Sequence, residues 1–165
     1  YNYDVRKFFN KWLNDMKTEQ GENGRVSCVI PNVCDDNCCA AWSDAIVMCT
    51  WQIYLFYNDI ELLKRMFPAM KKWVDYITQS TSTQYMWTGV FQFGDWLELN
   101  ANYGECKGKT RDDLLATAYY AKSTELVIKI GELLNEDVAK YKELYKNIKD
   151  NFKRVARRSK KLLSN

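Results

Sequence analysis

The chain has 165 residues, 47% of them apolar, with 24 basic against 21 acidic side chains and a formal charge of +3. That length fits one domain with its own core, and so balanced a charge argues against nucleic acid or an anionic membrane as a partner. No apolar run approaches the ~18–20 residues of a membrane span, and the absence of histidine removes Ser-His and Cys-His nucleophilic chemistry along with the commonest metal ligand.

Helical periodicity dominates. Residues 3–17 carry Val5, Phe8, Phe9, Trp12, Leu13 and Met16, an i, i+3, i+4, i+7 stripe that predicts a first helix. Residues 18–41 hold Gly21, Gly24 and Pro31 and read as a connection, with at most a short extended piece around Val26–Ile30. A second helix is expected over 42–57. It is apolar on most faces, from Ala45 to Phe56, and should be buried on most faces. Asn58-Asp59 gives a tight turn and a cap. A third helix follows over 60–78, where Pro68 should kink or restart it. Residues 79–111 form a long polar connection, and a loop of that length is usually functional or part of a larger assembly. Asp112 or Asp113 could cap a fourth helix, 113–134. Asn135 ends it, and Asp137 opens a fifth that runs to about 160. Tight turns alternate with long loops, and no exact internal repeat is visible. The expected class is all-α, a set of antiparallel helical hairpins within a single segment, residues 1–165.

Two aromatic-acid clusters carry the candidate chemistry. One is Ala41-Trp42-Ser43-Asp44-Ala45, with Trp51 seven residues after Asp44. The other is Phe93-Gly94-Asp95-Trp96-Leu97. A carboxylate accepts hydroxyl hydrogen bonds, and an indole face covers the apolar side of a sugar ring. Together they point to a carbohydrate subsite. Position alone also allows plainer roles. Asp44 can serve as a helix N-terminal residue favoured by the dipole, and Trp51 as core packing on a buried helix. Trp96, following Gly-Asp in a loop, is harder to explain as core. Glu98, Glu105, Asp112 and Asp113 read as solvated loop and capping residues.

The six cysteines, Cys28, Cys34, Cys38, Cys39, Cys49 and Cys106, are unevenly spaced. They read as reduced thiols of a cytoplasmic protein. Cys34-Asp35-Asp36-Asn37-Cys38-Cys39 lacks the two paired ligand sets of structural zinc, so no metal and no cofactor are expected. No charged-then-apolar opening resembles a signal peptide, although Tyr1 in place of a Met leaves room for an upstream segment. The basic run Arg157-Arg158-Ser159-Lys160-Lys161 follows a helix mixed with acids and reads as a solvated end.

Several stretches, taken in order, resemble one family. They are Asp4-Val5-Arg6-Lys7-Phe8-Phe9-Asn10-Lys11-Trp12-Leu13, Glu22-Asn23-Gly24, Val29-Ile30-Pro31, Trp42-Ser43-Asp44-Ala45 through Trp51, and Tyr57-Asn58-Asp59. Further on come Met70-Lys71-Lys72-Trp73-Val74-Asp75-Tyr76, Phe93-Gly94-Asp95-Trp96-Leu97 and Leu115-Ala116-Thr117-Ala118-Tyr119-Tyr120. Over residues 3–152 the chain resembles the middle of the catalytic domain of bacterial α-L-rhamnosidases, inverting glycoside hydrolases built on an (α/α)6 six-hairpin toroid. The resemblance implies a partial toroid acting on rhamnose-containing oligosaccharides or glycosides. It implies that Asp44 contacts sugar hydroxyls, that Trp51 and Trp96 line the pocket, and that Asp95 sits beside them in the Gly-Asp-Trp turn, with Trp42 a weaker candidate.

It also implies that the general acid and the general base, both glutamates in the family, lie outside these residues. Inverting hydrolysis needs two carboxyls about 6.5–9.5 Å apart, so the chain alone is expected not to turn over substrate. An open toroid segment would expose its inner apolar wall and could self-associate through it. The alternative is a non-catalytic helical module that binds sugar or another protein.

Overall fold

The computed structural model describes residues 3–34, 37–99, 101 and 104–163, with side chains as far as Val155. Among them are five helices and no strand: α1 (Arg6–Glu19), α2 (Ala45–Tyr57), α3 (Ile60–Ser80), α4 (Asp112–Leu133) and α5 (Ala139–Leu163).

Local chemistry sets the helix ends. Helix α1 starts at Arg6 rather than residue 3, because the Asp4 carboxylate takes the Arg6 backbone N–H at 3.0 Å. The same carboxylate pairs with the Arg6 guanidinium at 2.8 Å. Asn58 adopts a left-handed conformation with φ 53° and donates its N–H to the Tyr54 carbonyl, which ends α2. Asp59 then caps α3 by accepting the Leu62 N–H at 2.9 Å. The two-residue turn folds α2 and α3 into an antiparallel hairpin. At the next turn Asn135 is left-handed, with φ 57°, and the Asp137 carboxylate takes the Ala139 N–H at 2.9 Å. This second device folds α4 and α5 into another hairpin.

The third helix is the spine of the core. Leu62, Leu63, Met66, Phe67, Met70, Trp73, Val74 and Ile77 are all buried, and they follow the 3.6-residue period that the sequence shows. Tyr76 stacks on Trp73 at 5.7 Å, and Trp87 meets Trp73 edge-on at 5.5 Å. Buried aromatic pairs of this kind add roughly 0.5–1.5 kcal/mol beyond their area. Helix α2 packs on α1, α3 and α4, while α5 packs on α4. Gly24, in the Glu22-Asn23-Gly24 turn, has φ +93° and lies directly against the Lys72 carbonyl on α3. A side chain there would meet backbone, so the α1–α2 connection needs glycine to approach the spine.

Expectations for α2 and α3 are refined. Helix α2 begins at Ala45, not Trp42, because residues 40–44 form turns. It is buried or half-buried on most faces, but Leu55 and Phe56 are 56% and 54% exposed. Pro68 does not restart α3, which is continuous from Ile60 to Ser80. It lies on the exposed side, where water can reach the carbonyl it leaves unpaired. Residues 26–30 remain part of the connection, as expected, and form no strand, with Val26 buried.

Candidate functional site

The two long connections meet at the end of the hairpins away from the tight turns. The Gln92 side chain joins them, its Oε1 accepting the Ala40 N–H at 2.9 Å. Residues 91–93 are not helical, and neighbours in extended chain alternate direction. Gln92 is therefore buried, while Phe91 is 48% exposed and Phe93 half-buried. Phe93 contacts Trp42 at 4.8 Å, Phe91 at 4.9 Å and Trp96 at 5.2 Å between ring centroids. Trp42 and Trp96 are 38% and 42% exposed. Four rings from two connections thus form one aromatic shelf open to solvent.

The polar edge of the shelf is the turn that carries Asp95 and Trp96. Gly108 donates its N–H to the Asp95 carbonyl at 2.8 Å, and Leu97 donates to the Cys106 carbonyl at 2.6 Å. Gly94, with φ +68°, lies against the Asp112 carboxylate and the Lys107 side chain. Lys107 pairs with Asp112 at 2.5 Å and donates to the Gln92 carbonyl at 3.2 Å. Asp95 Oδ2 accepts the Thr110 hydroxyl at 2.8 Å. A carboxylate has about four acceptor positions, so one hydroxyl donor does not exhaust it. Asp112 and Asp113 lie in the first turn of α4 rather than at its N-cap, which is Arg111 with no side-chain cap. Asp112 is drawn to Lys107, and Asp113 to the Arg111 guanidinium.

Asp44 occupies a different environment from the one expected. It has no exposure to solvent. Its Oδ1 accepts the Trp73 indole N–H at 2.9 Å and the Ser123 hydroxyl at 2.5 Å, and its Oδ2 accepts the Ala41 N–H at 2.9 Å. Burial pushes its carboxyl above the usual range, and the three donors pull it partly back. In this chain the carboxylate therefore presents no surface to a sugar hydroxyl and acts as an internal tie between α2, α3 and α4. It also holds the turn at Ala41, whose φ is +70°, and that turn leads directly to Trp42 on the shelf. Trp51 is half-buried on α2 against the core, with Tyr54 at 5.4 Å, and makes no ring contact with the shelf.

The sequence clusters thus contain Trp42, Phe93, Asp95 and Trp96 of the shelf, and miss Phe91 and Gln92. The Phe-x-Phe alternation around Gln92 is the signal that marks them. Asp35 and Asp36, in the cysteine-rich stretch, lie outside the described residues. Among the described residues no group of His, Cys, Asp or Glu could hold a metal ion. Among the described residues no helix is long and apolar enough to cross a membrane.

Helical hairpins whose long connections gather at one end define an all-α hairpin domain of the toroid class. The model of the bacterial α-L-rhamnosidase six-hairpin glycosidase domain matches residues 1–161, and the chain belongs to that family. It is 33% identical over 151 residues to an α-L-rhamnosidase of Formosa agariphila, covering 90% of this chain and 16% of that protein. It is 31% identical to an α-L-rhamnosidase of Alteromonas sp., covering 93% of this chain and 17% of that one. Among solved structures it resembles native α-L-rhamnosidase from Aspergillus terreus, with a TM-score of 0.84, 28% identity, and coverage of 93% of this chain and 18% of that one. It also resembles the Streptomyces avermitilis α-L-rhamnosidase complexed with L-rhamnose, with a TM-score of 0.76, 28% identity, and coverage of 90% and 14%. The chain therefore spans less than a fifth of the length of each of these relatives.

Proposed function

We propose that this chain supplies part of the sugar-binding wall of a glycoside hydrolase that removes terminal α-L-rhamnosyl groups by an inverting mechanism. The observation that carries the reading is the exposed shelf of Trp42, Phe91, Phe93 and Trp96 beside the Asp95 carboxylate. A 6-deoxy sugar has an apolar face and a methyl group for the rings, and hydroxyls for the carboxylate. Trp96 is the principal wall and Asp95 the hydroxyl acceptor. Asp44 contributes from beneath by fixing the turn before Trp42, and Trp51 by filling the core behind α2.

The reading places neither the general acid nor the general base on these residues. Lys107 occupies Asp112, and Asp95 already holds Thr110. Inversion requires a second carboxyl across a space for water, and the family resemblance implies that both catalytic glutamates lie outside these residues. The chain alone is then expected not to hydrolyse an aryl α-L-rhamnoside. Hydrolysis by the purified chain, abolished by Asp95→Ala, would place the chemistry within these residues and overturn that assignment.

One observation favours a second reading, a helical module that associates through an apolar face. A groove of about 740 Å³ runs along α1 and α2, lined by Val5, Phe9, Ile53, Phe56 and Tyr57 among others. A defined oligomer by light scattering, dissociated by Phe56→Glu, would support it. A monodisperse monomer would remove it.

A further inference from the structure

The connection between α1 and α2 carries thiols that sugar binding does not use. Cys28 and Cys39 are 11 residues apart in sequence, and their sulfurs lie 3.1 Å from each other. A disulfide sets its sulfurs at about 2.05 Å, so closing this pair takes an approach of about 1 Å. The two thiols are unequal. Cys28 is partly exposed, whereas Cys39 has no exposure. Cys38, next in sequence, faces the Tyr76 hydroxyl at 3.3 Å.

The Cys39 S–H hydrogen bond lowers the Cys28 thiol to about 7, against the effect of burial, with Ser43 and Arg25 acting in the same direction. The same contact, together with burial, pushes Cys39 up. The accessible sulfur is thus the stronger nucleophile at neutral pH, and the buried one keeps its proton.

We propose that Cys28 and Cys39 form a redox-sensitive dithiol that reacts with a small-molecule disulfide, of which oxidised glutathione is the probe, and closes into an intramolecular bond. The Cys28 thiolate attacks one sulfur of the probe and releases one thiolate, leaving a mixed disulfide on Cys28. Cys39 loses its proton to the released thiolate and attacks the Cys28 sulfur. The second probe thiolate leaves and takes up the proton that Cys28 had given to solvent. Two protein thiols are oxidised to one disulfide, and one probe disulfide is reduced to two thiols.

The bond would lie at the base of the segment that presents Trp42. Cys39 donates its N–H to Ser43 Oγ at 3.1 Å and accepts the Ser43 N–H at 3.1 Å. Ala40 and Ala41 are held by Gln92 and Asp44. Oxidation therefore adds a covalent tie to a turn now held by hydrogen bonds and by the packing of Ala40 in the core.

The test is to equilibrate the full chain in glutathione buffers of graded oxidation, alkylate the free thiols and map the peptides. The expected result is the loss of two alkylatable thiols, with Cys28 joined to Cys39. In Cys39→Ser, Cys28 should accumulate a mixed disulfide. Amide exchange at residues 39–43 should slow in the oxidised chain. A first disulfide between any other pair would overturn the proposal, as would a folded chain that keeps both thiols in the most oxidising buffer. A Cys28–Cys39 bond with unchanged exchange at residues 39–43 would overturn the link to the Trp42 segment. If Cys39→Ser does not fold, the wild-type map alone decides.

Discussion

The Asp44 carboxylate receives the Trp73 indole N–H at 2.9 Å in a site without solvent exposure. Ser123 and Ala41 complete the set of donors, so one side chain joins the N-terminus of α2 to the middle of α3 and of α4. Asp44→Ala would leave two buried donors and the half-buried Ala41 N–H without an acceptor. Each orphaned group costs about 1–3 kcal/mol, so a loss of about 3 kcal/mol or more is expected in urea unfolding. Asp44→Asn keeps an oxygen for Trp73 and Ser123 but turns an amide NH2 toward the Ala41 N–H. It should lose about 1–3 kcal/mol and free the turn before Trp42.

The pH dependence of stability carries the mark of the same residue. Burial raises the Asp44 carboxyl above its ordinary value of 3.8. A group with a raised folded pKa binds its proton more tightly in the native state, so between the two values the native state holds more protons than the unfolded one. The Asp44 contribution is therefore greatest below 3.8 and declines as pH rises through the folded pKa. Asp4, held down to about 2 by the Arg6 hydrogen bonds, contributes with the opposite sign because its value is lowered, and weakly because the pair is exposed. The difference in urea midpoint between wild type and Asp44→Asn should shift against wild type as pH rises from about 4. A constant difference would remove Asp44 ionisation from the account.

How much of this was legible follows from where the partners lie. The helices and their turns rest on local signals, such as the stripe on α3 and the Asn58-Asp59 pair, and these appear in the sequence as they do in the fold. Asp44 sits at a helix start, and its neighbours in sequence suggest a cap or a ligand. Its actual partners Trp73 and Ser123 lie 29 and 79 residues away, a distance that no local pattern spans. Helix α2 misled in the other direction, because apolar composition does not tell a core face from one left uncovered, as at Leu55 and Phe56. The shelf was half legible: Trp42 and Trp96 stand out as indoles beside acids, whereas Phe93 joins them only once Gln92 has tied the two connections together.

Gln92→Ala should loosen that tie. It orphans the buried Ala40 N–H, at a cost of about 1–3 kcal/mol. Faster amide exchange at Ala40 and Ala41 is the expected readout, with the α4–α5 hairpin unchanged. Uniformly faster exchange across the chain would mean that Gln92 supports the whole core instead.

Gly94→Ala should disturb the polar edge of the shelf. Its new methyl would press on Asp112 and Lys107 from a left-handed backbone position, where strain alone costs about 1–3 kcal/mol. A loss of stability of that size is expected in urea unfolding, read as a lower midpoint. A neutral substitution would mean that the Asp95–Trp96 turn is not held as described.

The central claim is that the shelf beside Asp95 takes a 6-deoxy sugar. Its most direct test is a tryptophan-fluorescence titration of the chain with L-rhamnose, with L-fucose as the control sugar, repeated on Trp96→Ala and Asp95→Ala. Trp96 is 42% exposed and Asp95 partly so, so both substitutions should cost less than removal of a buried core side chain. The account predicts a saturable change for wild type that is stronger with rhamnose than with fucose and lost in both variants. A flat response in wild type, or a response that survives both substitutions, would contradict it.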